Sequence, residues 1–169
     1  MDQEEVKKKK IHSHVAGEVT FLVGISEEPH SRIAARFAAL RAFRSGGNVA
    51  LIHVVEPPDF QHWSAVSNLM REETKQEADL LLDGVAEEVV KITGQKPSFF
   101  IREGGIGDEI ITKIKEDASI NLLVVGAAPP YAGKGLLISW LAEQVAGQLN
   151  IPLVIVPGDL TDEQLNELT

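Results

Sequence analysis

The chain has 169 residues, 44% of them apolar and 24% charged, which suits one globular domain with a sizeable core. Its formal net charge of −9 argues against a nucleic-acid or anionic-membrane partner. It has no cysteine, which excludes a disulfide framework, a thiolate nucleophile and a cysteine-based metal site.

The first stretch, "MDQEEVKKKKIHSH", has no apolar core of signal-peptide type. No apolar run approaches the roughly 18 residues of a membrane span. A cytoplasmic protein is expected. Residues 1–17 combine an acidic patch, a lysine run and a His-Ser-His, and read as a flexible, solvated tail.

Val19–Ile25, "VTFLVGI", is a short β-rich apolar run and reads as a strand covered on both faces. After a turn at Pro29, Ser31–Arg44 places Ile33, Ala34, Phe37, Ala38 and Leu40 on one helical stripe. Gly46-Gly47 ends that helix. Val49–Val55, "VALIHVV", is a second strand, stopped by Pro57-Pro58. From Trp63 to Ile92 apolar residues recur at three- and four-residue steps, the pattern of a long amphipathic helix. Gly94 and Pro97 end it.

Ser98–Arg102 is a third strand, and Gly104, Gly105 and Gly107 read as a tight turn after it. The next helix carries Asp108 and Glu109 at its start and Lys113 and Lys115 near its end, the charge order that suits the helix dipole. Asn121–Gly126, "NLLVVG", is a fourth strand. A proline- and glycine-containing loop leads into a helix over Leu136–Leu149, and Ile151–Val156, "IPLVIV", is a fifth strand. In the closing "GDLTDEQLNELT", Thr161 and Gln164 have capping-box spacing.

Strands alternating with helices predict an α/β fold: a parallel sheet, helices on both faces, right-handed crossovers. Ligands of such sheets bind at the carboxyl ends of the strands, where the strand order reverses. The loops after Ile25 and Gly126 are the expected crevice.

Several segments in the right order resemble the universal stress protein family. They are "TFLVGISEEPHSRIAARFAALRA", "VALIHVVEPP", "IREGGIGDEIITKIKEDASINLLVVGA" and "LLISWLAEQVAGQLNIPLVIVPG". The resemblance runs from about Val19 to Val156. It implies a flavodoxin-like, adenine nucleotide α-hydrolase-like three-layer sandwich with a five-stranded sheet ordered 3-2-1-4-5. It divides the chain into a tail (1–17), a universal stress protein domain (18–158) and a C-terminal tail or short helix (159–169). It also implies a homodimer with a role in stress response or regulation, in which Leu153, Val154, Ile155 and Val156 of the last strand meet a partner copy.

ATP-binding members of that family carry a glycine, two residues, a second glycine, nine residues, then a glycine and a small hydroxyl residue. Laid on this chain, those positions are Gly126, Pro129, Ser139 and Trp140, so one of the four matches. Binders also place an aspartate just after the first strand, where this chain has Ser26. Val54 and Val55 match the family's adenine-side valines. The substitutions have physical weight. Proline has no N–H to donate and a fixed φ, serine partly fills the space a glycine leaves, and tryptophan replaces a hydroxyl with a bulky ring.

What remains is a lysine between glycines, Gly133-Lys134-Gly135, ahead of a helix N-terminus, a set that suits a weak anion contact. It is not a P-loop, because no serine or threonine follows the lysine. Candidate nucleotide- or anion-binding residues are therefore Ser26, Val54, Val55, Gly126, Gly133, Lys134, Gly135 and Ser139. No cofactor is required, and ATP or another adenine nucleotide is not expected to bind tightly.

His12, His14 and His53 share no metal-ligand spacing, so no metal site is expected. Arg32, Arg36, Arg41 and Arg44 read as a solvated face partly paired with Glu27 and Glu28. There is no Gly-x-Ser-x-Gly elbow and no nucleophile with an evident base. The leading reading is a homodimeric stress or regulatory protein acting through interactions, with an unidentified protein partner. The alternatives are a nucleotide-binding member with an altered loop and slow ATP hydrolysis, and, third, an adenylyl-transfer enzyme of the wider superfamily.

Overall fold

The computed structural model describes residues 19–57, 68–128 and 136–169. The expectations for the tail 1–17, for Trp63 and Val66, and for the loop 129–135 lie outside those residues.

Ten elements alternate along the chain: β1 (Thr20–Gly24), α1 (Pro29–Ser45), β2 (Asn48–Val55), α2 (Asn68–Thr93), β3 (Ser98–Glu103), α3 (Ile106–Glu116), β4 (Ile120–Ala127), α4 (Leu136–Gly147), β5 (Leu153–Pro157) and α5 (Asp162–Leu168). The five strands form one sheet in the order β3-β2-β1-β4-β5. All pairings are parallel, with Val23 opposite Leu51 on one side and Val124 on the other. This is the α/β architecture and strand order expected from the sequence.

The inner strands β1, β2 and β4 are largely apolar on both faces because both faces are covered. On β1, Phe21 and Val23 join one core with Ala34, Ala38, Leu82 and Val85 from α1 and α2, and with Leu165 from α5. Leu22, between them, points to the opposite core with Ile110 and Ile114 of α3 and Leu141 of α4. Right-handed crossovers place α1 and α2 on one face, and α3 and α4 on the other.

α1 lies close to the sheet because its inner face is alanine: Ala34, Ala35, Ala38, Ala39 and Ala42 are all buried. The helix starts two residues before the expected Ser31, since Pro29 fits the first helical turn. It ends at Gly46, whose φ of 72° is left-handed.

The arginines of α1 differ from expectation. Arg32 and Arg36 reach Glu88 of α2, each at 3.5 Å, and Arg36 also meets Asp162 of α5 at 3.0 Å. Arg41 and Arg44 donate to the backbone carbonyls of Thr169 and Asn166. The partners are thus neighbouring helices rather than Glu27 and Glu28. The predicted capping box is present, with Gln164 N donating to Thr161 Oγ1 and the Gln164 side chain accepting from Thr161 N.

Candidate functional site

β1 and β4 are neighbours in the sheet, yet the chain leaves them toward opposite faces, into α1 and α4. Their carboxyl ends therefore border an open crevice, the switch point of a doubly wound sheet. A cavity of about 100 Å³ lies there, lined by Ile25, Ser26, His30, Ser31, His53, Val54, Ile106, Ile110, Gly126 and Leu137 among others. Its walls are mainly aliphatic, and among the described residues no lysine, arginine, aspartate or glutamate lines it. A larger, more polar cavity of about 600 Å³, bordered by Asn48, Ser98 and Asn121, opens at the other end of the sheet.

Ser31 closes the turn from β1 into α1. Its side chain is buried, donates to the Ser26 and Glu28 carbonyls at 2.8 and 3.0 Å, and accepts from Ser26 N at 3.1 Å. Ser26 Oγ accepts from Glu28 N at 3.2 Å, so both serines help to hold this turn. His53 is fixed by a bond of 2.8 Å between its Nδ1 and the Ile25 carbonyl. A carbonyl only accepts, so Nδ1 carries the proton, and Nε2 of the neutral ring is left as the acceptor.

Two glycines at this end of the sheet serve internal packing. A side chain at Gly126 would collide with the backbone carbonyl of His30, and one at Gly158, just past β5, would stand 2.6 Å from the His30 Cβ. His30 is held between them, at the first turn of α1. Gly107, expected in a tight turn, lies inside the first turn of α3. A side chain there would collide with the six-membered ring of Trp140. The half-buried indole thus packs on the start of α3, beside an open groove bordered by Gly105, Asp108 and Leu137.

Of the predicted site residues, Ser26, Val54 and Gly126 meet around the cavity. Val55 sits at the end of β2 and Ser139 is exposed on α4, neither among the lining residues. Gly133, Lys134 and Gly135 lie outside the described residues. Leu153 and Val154 are half-buried, Ile155 is 44% exposed, and Val156 is core. Sequence reasoning missed His30, Ser31 and His53. For His53 there was a signal: it is the one polar side chain between Val49 and Val55 in an otherwise apolar strand.

A profile of the universal stress protein family matches residues 20–157. The chain belongs to the universal stress protein family. The match covers all five strands and stops where β5 ends, so α5 lies beyond it.

Solved structures agree on the fold. One is a universal stress protein, UspA, from Lactobacillus plantarum, 17% identical, with a TM-score of 0.65 over 82% of this chain and 97% of that one. Another is a family protein from Burkholderia pseudomallei, 14% identical, with a TM-score of 0.65 over 85% and 99%. A third is a universal stress protein in complex with cAMP, 17% identical, with a TM-score of 0.62 over 83% and 97%. No curated protein sequence matches significantly. Among the described residues, no helix is long and apolar enough to cross a membrane.

Proposed function

We propose that the protein is a homodimeric stress or regulatory protein that acts through protein contacts and holds no ATP tightly. One observation carries this reading. Three of the four positions at which ATP-binding members carry a glycine or a small hydroxyl residue hold Pro129, Ser139 and Trp140 here, and the fourth, Gly126, is packed against the His30 carbonyl. Family membership supports the stress or regulatory role, and the half-exposed apolar edge at Ile155 supports the dimer.

Native mass spectrometry of freshly purified protein tests the reading. A dimer without bound nucleotide is expected. A stoichiometric retained nucleotide would overturn it.

A second reading is a nucleotide-binding member with an altered phosphate loop. It is favoured by the meeting of Ser26, Val54 and Gly126 around one cavity, and by a structural neighbour in complex with cAMP. Retained nucleotide in the same spectrum, with ADP accumulating from added ATP, would favour it.

A further inference from the structure

We propose that the chain has a ligand site at the amino ends of its strands, opposite the crevice, for a small neutral polyhydroxylated molecule of the sugar or cyclic polyol class. It is independent of what the crevice holds.

The strands build its floor. Side chains alternate along a strand. Leu22 of β1 and Ala50 of β2 lie in the core under α3 and α4, with Phe100 of β3 packed against it. Thr20, Asn48 and Ser98 stand two residues earlier on the same three strands, and so on the same face. Thr20 is directly opposite Asn48 in the sheet. Asn121 of β4 sits where the pairing with β1 shifts register, and its Oδ1 accepts from Thr20 N at 2.9 Å. The result is a row of hydroxyl and amide groups across four strands.

The row is roofed but not filled. α3 ends at Glu116, and its cap, Asp117, leads through Ser119 into β4. The cavity of about 600 Å³ is lined by both this turn and the row, within the roughly 300–1,000 Å³ range of small-molecule sites. The side chains of Thr20, Asn48 and Ser98 enter no hydrogen bond among the described residues. Phe100 and Val89 add apolar surface for the C–H side of a ring. Lys113 Nζ lies 3.7 Å from the Phe100 ring centroid and holds that ring in place.

Charge decides the ligand class. The described lining residues carry one cation, Lys96, and one carboxylate, Asp117, which cancel. Asp117 also faces Lys113 at 3.4 Å. No surplus charge is left to offset the desolvation of an ionic ligand. Gly47, Thr93 and Asp117, at the carboxyl ends of α1, α2 and α3, border the same space. Helix carboxyl ends present carbonyls that need donors. The amides and hydroxyls of the row both donate and accept. A ligand with several hydroxyl groups meets both demands without carrying charge.

The test titrates glucose, myo-inositol, spermidine and inorganic phosphate separately into the full-length protein, followed by backbone amide NMR. At least one of the two polyols is expected to shift the amides of Thr20, Asn48, Ser98 and Ser119 saturably, with a dissociation constant on the order of 1 mM. Spermidine and phosphate should leave those amides in place at the same concentration. Asn48→Leu should weaken polyol binding about tenfold, the effect of one lost hydrogen bond, while preserving the folded spectrum. If that variant does not fold, Ser98→Ala takes its place with the same expectation.

No saturable shift with either polyol overturns the site and leaves the interaction reading standing. Saturation of the same amides by spermidine or phosphate at a lower concentration than by either polyol overturns the neutral class. Polyol binding of unchanged strength in the variant, or polyol shifts confined to Ile25, Ser26 and Val54, overturns the place of the site.

Discussion

Gly107 stands in the first turn of a helix, where propensity alone favours alanine by roughly 0.5–1 kcal/mol. Its smallness is explained from outside the helix, by the Trp140 ring lying against it. Gly107→Ala therefore sets two effects against each other, and overpacking, at about 1–3 kcal/mol, wins. Thermal unfolding should show a lower Tm for the variant; an equal or higher Tm would mean that the indole lies elsewhere.

Asp117, just past α3, accepts from Ser119 Oγ at 2.6 Å and Ser119 N at 3.0 Å, and faces Lys113 at 3.4 Å. The Ser119 hydroxyl, more than the lysine, holds its carboxyl below the usual range. A depressed folded pKa means that the carboxylate stabilises the fold fully above the ordinary value of about 3.9, and less as the pH falls through the folded value. Asp117→Ala should cost about 1 kcal/mol at pH 7 in urea unfolding, and the gap should narrow below about pH 4. A gap unchanged at pH 3 would remove the carboxylate from the account.

At the scale of elements, the sequence was most legible where local chemistry and tertiary packing agree. The run "LLVV" in β4 has no polar alternation, and Leu123 and Val124 are fully buried on opposite faces. Leu123→Asp places an unpaired charge in that core. It should cost several kcal/mol, on the order of the whole stability margin of about 5–15 kcal/mol. Near-native circular dichroism and Tm in that variant would contradict an internal position for the strand.

Legibility failed where a partner is distant in the chain. Neighbour spacing on α1 suggested Glu27 and Glu28 for the arginines, but nothing local could point to Glu88 or Asp162. The same holds for Gly107 and Trp140, more than thirty residues apart. α5 shows the intermediate case. Its capping box was readable, but a helix of seven residues is too short to persist alone. Leu165, 1% exposed against α1 and the sheet, and the arginine contacts keep it in place.

At the scale of the molecule, α5 covers one face of the sheet near β5, while the outer edge of β5 has no strand beside it among the described residues and carries Ile155 44% exposed. Such an edge invites pairing with another strand, and a second copy of β5 is the occupant proposed here. Light scattering after size exclusion should give twice the chain mass at micromolar concentration. Ile155→Lys should reduce it to the mass of one chain without unfolding it, because the side chain is already partly in solvent; a wild-type monomer, or a variant that remains dimeric, would refute this edge as the interface.

The central proposal concerns the crevice: that it keeps the shape of a phosphate site and has lost the contacts. A charge-assisted hydrogen bond contributes about 1.5–3 kcal/mol, so losing two raises a dissociation constant by roughly 10²–10⁴-fold. The direct measurement is calorimetry with MgATP on the wild type and on a Pro129→Gly, Ser139→Gly, Trp140→Ser variant, which restores the small residues and the hydroxyl at the three substituted positions. The account predicts weak or undetectable binding by the wild type and tighter binding by the variant. Micromolar or tighter binding by the wild type would contradict it.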